Sequence, residues 1–284
     1  MRLGIIGDEI SQDLDEVVRL CVRHGYEGVE IRSVWGRSPS ELDRDDCRRI
    51  RATLDAAGLR VANFATPAFK DALPRTAADR ARVREVLERS MERAAWLGAP
   101  YARVFSFYHG GTPDPAAAAA EMREALAGCA PPPGCTLLLE NGMRTNNPDA
   151  ENTARLLQGL KGAPLGVLWD PGNTWFSGWD RRPFTAAYDL LKDHIRYVHV
   201  KDPVGSDRYV RLGDGEVDWR GIVDRLARDG FGGWISLETH WRLDRVLSQP
   251  ERDTPHGESF SAGGYEASSQ CMAVLAEMVR GTGE

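Results

Sequence analysis

Short apolar runs alternate with amphipathic stretches along the whole chain, and this alternation predicts its secondary structure. The runs are four to six residues long, are bounded by turn residues and have the composition of buried strands. Between them, apolar positions recur at helical spacing, as in Leu14, Val17 and Cys21. The predicted strands are 2–6, 28–32, 59–64, 101–105, 136–140, 166–170, a strand ending near 199, and 234–238.

A helix is predicted after every strand. Ser11 and Asp13 are candidate N-caps of the first helix, and Gly25, Gly58 and Gly98 follow the ends of the first three. A long polar loop, about 240–262, precedes the last helix. The predicted helices are about 13–24, 39–57, 76–97, 113–127, 149–160, 184–193, a helix starting near 219, and 264–280.

Eight strand–helix pairs in strict alternation indicate parallel βαβ units. No proline- or serine-rich linker divides the 284 residues, so we expect a single (β/α)8 TIM barrel over residues 1–284. A doubly wound open sheet is the alternative. The first βα turn, Gly7-Asp-Glu, lacks the GxGxxG fingerprint of dinucleotide-binding sheets, and this favours the closed barrel.

Composition and charge narrow the possible partners. The chain is 42% hydrophobic and 27% charged, with a formal net charge of -6. Acidic proteins of this kind are poor candidates for nucleic-acid or anionic-membrane binding, which relies on basic surface. Five scattered cysteines without a CxxC pair indicate reduced thiols. We therefore expect a cytoplasmic protein with a small-molecule ligand.

Four successive strands end on a side chain that can bind a divalent cation. Glu140, Asp170, His199 and Glu238 stand at the carboxyl ends of strands five to eight. In a (β/α)8 barrel these ends meet at one face, where active sites lie. A cluster of acids is electrostatically costly without a cation, so the set predicts one bound ion. The alternative is four separate strand-end residues that are solvated or salt-bridged.

The donor set indicates which cation to expect. Three carboxylates and one imidazole suit manganese, magnesium or cobalt, whereas structural zinc sites use cysteine more often. We expect manganese, with magnesium, cobalt and zinc as alternatives.

The motifs around these residues resemble a known family. They are Leu139-Glu140-Asn141, Trp169-Asp170-Pro-Gly-Asn173, Val198-His199-Val-Lys-Asp202, Leu212-Gly-Asp-Gly215 and Leu237-Glu238-Thr239. They are similar to those of the xylose-isomerase-like barrel superfamily, the sugar phosphate isomerases and epimerases that include ketose 3-epimerases and inosose dehydratases. The resemblance implies that the four strand-end residues are metal ligands and that Glu140 and Glu238 are also acid and base. Epimerases often have histidine where this chain has Asn173.

The resemblance implies proton abstraction next to a carbonyl, with the metal stabilising the enediolate. Two carboxylates on opposite faces of the substrate give epimerisation, whereas one carboxylate acting between adjacent carbons gives isomerisation. Loss of a β-hydroxyl gives dehydration of an inosose- or dehydroshikimate-like compound. An endonuclease-type phosphodiester hydrolase is a further alternative, disfavoured by the acidic charge. The leading prediction is a metal-dependent isomerase or epimerase, with homo-oligomer formation possible.

Other residues near the strand ends are candidate substrate ligands. Lys201 is a candidate oxyanion partner, with a salt bridge to Asp202 or Asp170 as its alternative. Glu30 is expected to have a structural role, paired with Arg32 or Arg103. Several aromatic residues just beyond strand ends could stack on a sugar ring. The predicted substrate-binding residues are Asn173, Lys201, Arg211, His240, Trp175 and Trp35.

The 213–215 loop bears on the substrate class. Its glycines could cradle a phosphate, as loops after strands seven and eight of barrels often do. Asp214 and Glu216 would repel a phosphate dianion. We therefore expect an unphosphorylated, neutral sugar or cyclitol.

Overall fold

A closed barrel of parallel strands forms the centre of the molecule. The computed structural model describes residues 1–182 and 184–283. The barrel strands are β1 (Arg2–Ile6), β2 (Gly28–Ile31), β3 (Arg60–Phe64), β4 (Tyr101–Val104), β5 (Thr136–Glu140), β6 (Leu165–Trp169), β7 (Ile195–Val200) and β10 (Trp234–Leu237), with a hairpin of β8 (Asp202–Val204) and β9 (Arg208–Val210) between the last two. Their order around the ring is β1-β10-β7-β6-β5-β4-β3-β2. The predicted (β/α)8 barrel is confirmed, because β1 pairs with β10 and the sheet has no open edge.

Helices follow the barrel strands in the predicted alternation. The longer ones are α1 (Leu14–His24), α2 (Arg44–Ala56), α3 (Ala77–Leu97), α4 (Pro115–Ala127), α5 (Ala150–Gly159), α8 (Trp219–Arg228) and α11 (Gly264–Arg280). The short ones in the described part of the chain are α6 (Pro171–Ser177), α7 (Ala186–Leu191), α9 (Gln249–Asp253) and α10 (Gly257–Ser261). Within the two described ranges, none is both long and apolar enough to cross a bilayer.

The second helix begins later than predicted. The prediction placed it from residue 39, but α2 starts at Arg44. Asp43 accepts hydrogen bonds from the backbone N–H groups of Asp45 and Asp46, and the Asp46 side chain accepts from the Asp43 N–H. This capping box satisfies N–H groups that a helix leaves unpaired at its start. The preceding residues therefore remain a loop.

Three segments predicted as loops contain regular structure. The hairpin β8–β9 follows β7 directly, and α9 and α10 lie within the predicted 240–262 loop. The short helix α6 starts immediately after Asp170, whose side chain accepts the N–H of Asn173 at 2.7 Å and caps the helix. These elements are too short to show a clear period in the sequence.

The floor of the barrel is filled by inward-facing side chains. Trp234 is the largest of them, and it needs the space that a glycine leaves on a neighbouring strand. A Cβ atom at Gly28 would lie 2.5 Å from the Trp234 ring. The other members are Ala62, Leu138, Leu168 and Tyr197, with Tyr101 packed against them. The barrel is thus closed below its carboxyl end.

Candidate metal centre and active site

The four predicted ligands converge at the carboxyl end of the barrel. Glu140 is the last residue of β5, Asp170 and Glu238 directly follow β6 and β10, and His199 lies on β7. One donor atom from each lies within 4.8 Å of all the others. All four side chains are buried. The strands therefore bring together a set that could hold a divalent metal ion.

One of these donor atoms has no hydrogen-bond partner, and two others face only a cationic side chain. His199 Nδ1 is buried without a hydrogen bond to any described residue, whereas Glu140 Oε2 lies 3.2 Å from Arg103 Nη1 and Asp170 Oδ2 lies 2.7 Å from Lys201 Nζ. The Nδ1 atom of His199 lies 3.4 Å from Glu140 Oε1, 3.8 Å from Asp170 Oδ2 and 3.5 Å from Glu238 Oε2. Unpaired buried polar atoms are costly. A cation bound among them would satisfy them, so the donor set fits a metal.

Glu30 fixes the orientation of the histidine. Its Oε2 atom lies 2.9 Å from His199 Nε2, so the other ring nitrogen faces the acidic cluster. The predicted structural role of Glu30 is thus fulfilled through His199 rather than through Arg32 or Arg103. Burial lowers the pKa of His199, but Glu30 and Glu140 outweigh it and raise the pKa to about 10. Metal binding would release this proton.

Two asparagines position the carboxylate ligands. Asn141 accepts the backbone N–H of Asp170 at 2.7 Å and donates to the Asp170 carbonyl at 2.7 Å. Asn173 donates through Nδ2 to Glu140 Oε1 at 3.2 Å. Asn173 thus contacts the predicted metal ligand Glu140 and lines the cavity. Its role in substrate binding stays a prediction.

Lys201 lies inside the cluster rather than on the rim. Its ammonium group is 2.7 Å from Asp170 Oδ2 and also donates to Glu238 Oε2. Burial raises the pKa of Asp170 to about 6, although the Lys201 charge opposes this shift. A Cβ atom at Gly172 would lie 2.7 Å from Lys201 Cγ, so the glycine of the Asp-Pro-Gly-Asn motif makes room for the lysine.

A second buried network holds Glu238 from the side of β1 and β2. Arg32 donates through Nη1 to Glu238 Oε1 at 2.8 Å, and its other nitrogens contact Asp8 and Glu9. Glu9 Oε1 is 2.7 Å from His240 Nδ1, and His240 Nε2 lies 3.7 Å from Glu238 Oε1. His240, a predicted substrate-binding residue, is thus a buried neighbour of Glu238.

Both candidate acid–base glutamates are held ionised. Burial raises the pKa of Glu140, but the Arg103 guanidinium, with Nη1 3.2 Å from Oε2, and His199 lower it to about 2. The pKa of Glu238 lies well below its ordinary value because Lys201 and His240 outweigh the burial. Ionised carboxylates are ready to accept a proton.

A cavity of about 310 Å³ opens above the metal ligands. It is lined by the predicted residues Glu140, Asn173, Lys201, Glu238 and His240. Its outer wall includes residues 252–256, which run from the last turn of α9 into the loop that follows it. Cavities of this size suit a small molecule.

Family comparison agrees with this geometry. The model of the xylose isomerase-like TIM barrel family matches residues 18–261. The chain belongs to this family. The resemblance seen in its strand-end motifs is therefore confirmed.

The sequence identity to individual proteins is low. The rhizopine catabolism protein MocC of Rhizobium meliloti is 29% identical over 123 residues, which span 37% of this chain and 37% of MocC. A structure of L-ribulose 3-epimerase superposes with a TM-score of 0.73 at 20% identity, over 99% of this chain and 95% of that one. The IOLI protein with a bound zinc atom gives 0.72 at 15% identity, over 99% of each chain. These structural likenesses show the shared fold.

Three predicted substrate ligands lie outside the cavity. Arg211 faces Asp214 at 3.6 Å, Trp175 donates its indole N–H to Glu216 at 3.0 Å, and Trp35 packs under Arg49. None of the three lines the cavity of this family member. The sequence places them just beyond strand ends, but their side chains contact other residues of the protein instead of the cavity.

The backbone N–H groups of the 213–215 loop are already hydrogen-bonded within the protein. The Asp202 carboxylate accepts the backbone N–H groups of Gly213, Gly215 and Val217 at 2.8, 3.1 and 3.3 Å. These donors are not free for a phosphate, in agreement with the expectation of an unphosphorylated ligand.

Sequence reasoning missed several polar residues of the site. Asp8, Glu9, Arg32, Lys70 and Arg103 surround the ligands or line the cavity. Alternation on β2 gave a signal, because Glu30 and Arg32 share a face at its end. Lys70 and Arg103 gave none, because single basic residues near strand ends are common.

Proposed function

We propose that the protein is a divalent-metal-dependent isomerase or epimerase of an unphosphorylated sugar or cyclitol. One observation carries the proposal: a buried histidine nitrogen without a hydrogen-bond partner and three buried carboxylates meet within 4.8 Å of one another at the head of a cavity. The family membership and the epimerase fold likeness support it.

Glu140, Asp170, His199 and Glu238 would hold the metal. We propose manganese because the set is rich in carboxylate oxygen, although the structurally similar IOLI protein has a zinc atom. When bound, the metal supplies Lewis-acid stabilisation of the negative charge that develops on the substrate oxygens.

Glu140 and Glu238 supply the proton transfers. They approach the cavity from β5 and β10, which are separated in the ring by β6 and β7, so they can reach opposite faces of a substrate. One carboxylate removes the proton next to the carbonyl and keeps it, and the other, after taking up a proton from solvent, delivers that proton to the opposite face of the same carbon. Arg103 holds Glu140 and Arg32 holds Glu238, and these contacts keep each group oriented.

The reacting end of the substrate would lie against Lys201, Asn173 and His240. The Lys201 ammonium is placed to stabilise an oxyanion, and Asn173 and His240 offer polar contacts to hydroxyl groups. The buried floor below and the aromatic and loop walls above limit the access of water to the reacting carbon.

Hydrogen exchange tests the proposal. The manganese-loaded protein is incubated in deuterated water with a panel of ketoses and inososes, and deuterium at the carbon next to the carbonyl is measured by NMR. We expect exchange with at least one compound, and its absence throughout the panel would contradict both isomerase and dehydratase chemistry. Product analysis then separates inversion, carbonyl migration and loss of water. Cytoplasmic location and homo-oligomer formation stay predictions.

A further inference from the structure

Two basic side chains on the β3–β4 side of the cavity are left without full charge compensation. Lys70, in the loop after β3, donates to the backbone carbonyl of Asp253 at 2.8 Å. Within residues 1–182 and 184–283, no carboxylate lies in salt-bridge distance of its ammonium group. Two of its three N–H donors are therefore available to a ligand.

Arg103, on β4, also has an N–H donor without an acceptor. It is only 5% exposed. Its Nη1 atom faces Glu140 Oε2 at 3.2 Å, while its Nε–H has no acceptor among the described residues. A buried guanidinium donor without an acceptor is costly. The Arg103 side chain is part of the wall of the cavity.

One aromatic ring carries both cations. Lys70 Nζ lies 5.4 Å and Arg103 Cζ lies 4.8 Å from the centroid of Phe105. Both groups thus contact one ring and line the same cavity. Burial and the nearby Arg103 charge lower the pKa of Lys70 to about 8. An ammonium group in that setting is stabilised by an added anion.

The backbone near these two side chains is strained. Phe69, the residue before Lys70, has φ of 61°, and Phe107, near the end of β4, has φ of 59°. Their rings pack edge to face at 5.2 Å. Left-handed backbone in bulky residues is costly and concentrates at functional sites. The placement of Lys70 is therefore built into the fold.

Among the residues that line the cavity, cationic side chains outnumber acidic ones, although Asp170 below the cavity offsets the charge of Lys201. Arg32 is compensated by buried Asp8 and Glu9, and Arg144 by Asp253 at 3.0 Å. A divalent cation on the four ligands would add two positive charges. The cationic lining residues are Arg32, Lys70, Arg103, Arg144, Lys201 and Arg252, and the acidic ones are Glu140, Glu238 and Asp253.

We infer that Lys70 and Arg103 form a subsite for a carboxylate of the substrate, so that the substrate is a sugar acid or a carboxylated cyclitol. The inference deepens the proposed function and rests on it for the position of the reacting end. A carboxylate fits better than a phosphate dianion, because Arg103 is already shared with Glu140. This assignment replaces the neutral substrate expected from the 213–215 loop.

Matched ligand pairs test the subsite without requiring turnover. Binding to the manganese-loaded protein is measured by calorimetry for gluconate against gluconamide and for quinate against its amide, since members of each pair differ in one charge. We expect the carboxylate to bind about tenfold more tightly or better in at least one pair, as for a hydrogen bond to a charged group.

Variants assign the preference to Lys70. Lys70→Met should reduce the preference for the carboxylate to less than about threefold. Lys70→Arg should retain the preference, since arginine keeps the positive charge. Arg144→Met removes a cavity cation that Asp253 already neutralises and should leave the preference in place. Thermal unfolding checks that each variant is folded.

Three outcomes would overturn the inference. The first is equal binding of acid and amide in both pairs, and the second is a preference that survives in Lys70→Met. The third is that inorganic phosphate displaces bound gluconate at a concentration more than about tenfold lower than acetate needs. Failure of the proposed function has a different signature. Hydrogen exchange in neutral ketoses together with no carboxylate preference refutes only the subsite, whereas carboxylate preference without exchange in any carbonyl compound refutes only the reaction.

Discussion

The two sides of the barrel mouth carry opposite chemistry. On the side of β5, β6, β7 and β10, strand ends present three carboxylates and one imidazole to a common point. On the side of β2, β3 and β4, the groups that face the cavity are basic: Arg32, Lys70 and Arg103. The acidic side suits a metal ion. The basic side suits carboxylates, both those of the protein that it orients and that of a ligand.

The comparison shows that the two sides depend on each other. Arg32 reaches Glu238 and Arg103 reaches Glu140, so each candidate acid–base residue on the acidic side is held by a cation from the basic side. Glu30, the acidic residue on β2, holds His199 in the same way. Three of the four predicted ligands are thus held by residues from the opposite side of the ring.

The largest expected effect comes from removing an acid–base group. Glu238→Gln should keep the fold but lower turnover by about 10²–10⁴-fold, because an amide cannot transfer the proton. Rates of deuterium exchange measure the loss, and circular dichroism checks the fold. Exchange at the wild-type rate would refute the role of Glu238.

A smaller loss should follow from disturbing support across the ring. Glu30→Gln leaves all four ligands intact but removes the carboxylate that orients His199. We expect manganese affinity to fall by about 10–100-fold, as for other partners of metal-binding histidines. Calorimetric titration measures it. The exposed Glu27→Gln on the same segment is the matched control, and equal affinities in the two variants would show that Glu30 is only structural.

The basic side should make carboxylate binding depend on pH. Lys70 is charged below its pKa of about 8; burial, Arg103 and Arg32 lower this pKa, whereas Glu140 and Glu238 raise it. Gluconate affinity should therefore fall by up to about tenfold between pH 7 and pH 9 as the ammonium deprotonates. Titrations across this range check it, and Lys70→Met should show a flat profile. An equal decline in Lys70→Met would assign the titration to another group.

The smallest effect is expected at an aromatic residue near the strand ends. Trp175 hydrogen-bonds Glu216 outside the cavity, so Trp175→Phe should change KM and kcat by less than about threefold. Steady-state kinetics on the substrate found by exchange measures this. A large rise in KM would place Trp175 in contact with the substrate and restore the prediction made from its position in the sequence.

The sequence by itself was sufficient for the barrel and for the set of four candidate ligands. Strand–helix alternation and the polar residue at each strand end are local patterns, and in a parallel barrel all strand ends of one kind meet at one face. No long-range information is needed to bring Glu140, Asp170, His199 and Glu238 together.

The tertiary structure decided which other residues join them. Closure of the ring pairs β1 with β10 and thereby brings Asp8 and Glu9 beside Glu238 and His240, more than two hundred positions along the chain. The tertiary structure also places Lys70 in the cavity lining and leaves Trp175, Trp35 and Arg211 out of it. Such contacts depend on ring closure and on backbone angles such as φ of 61° at Phe69, and neither leaves a periodic trace in the sequence.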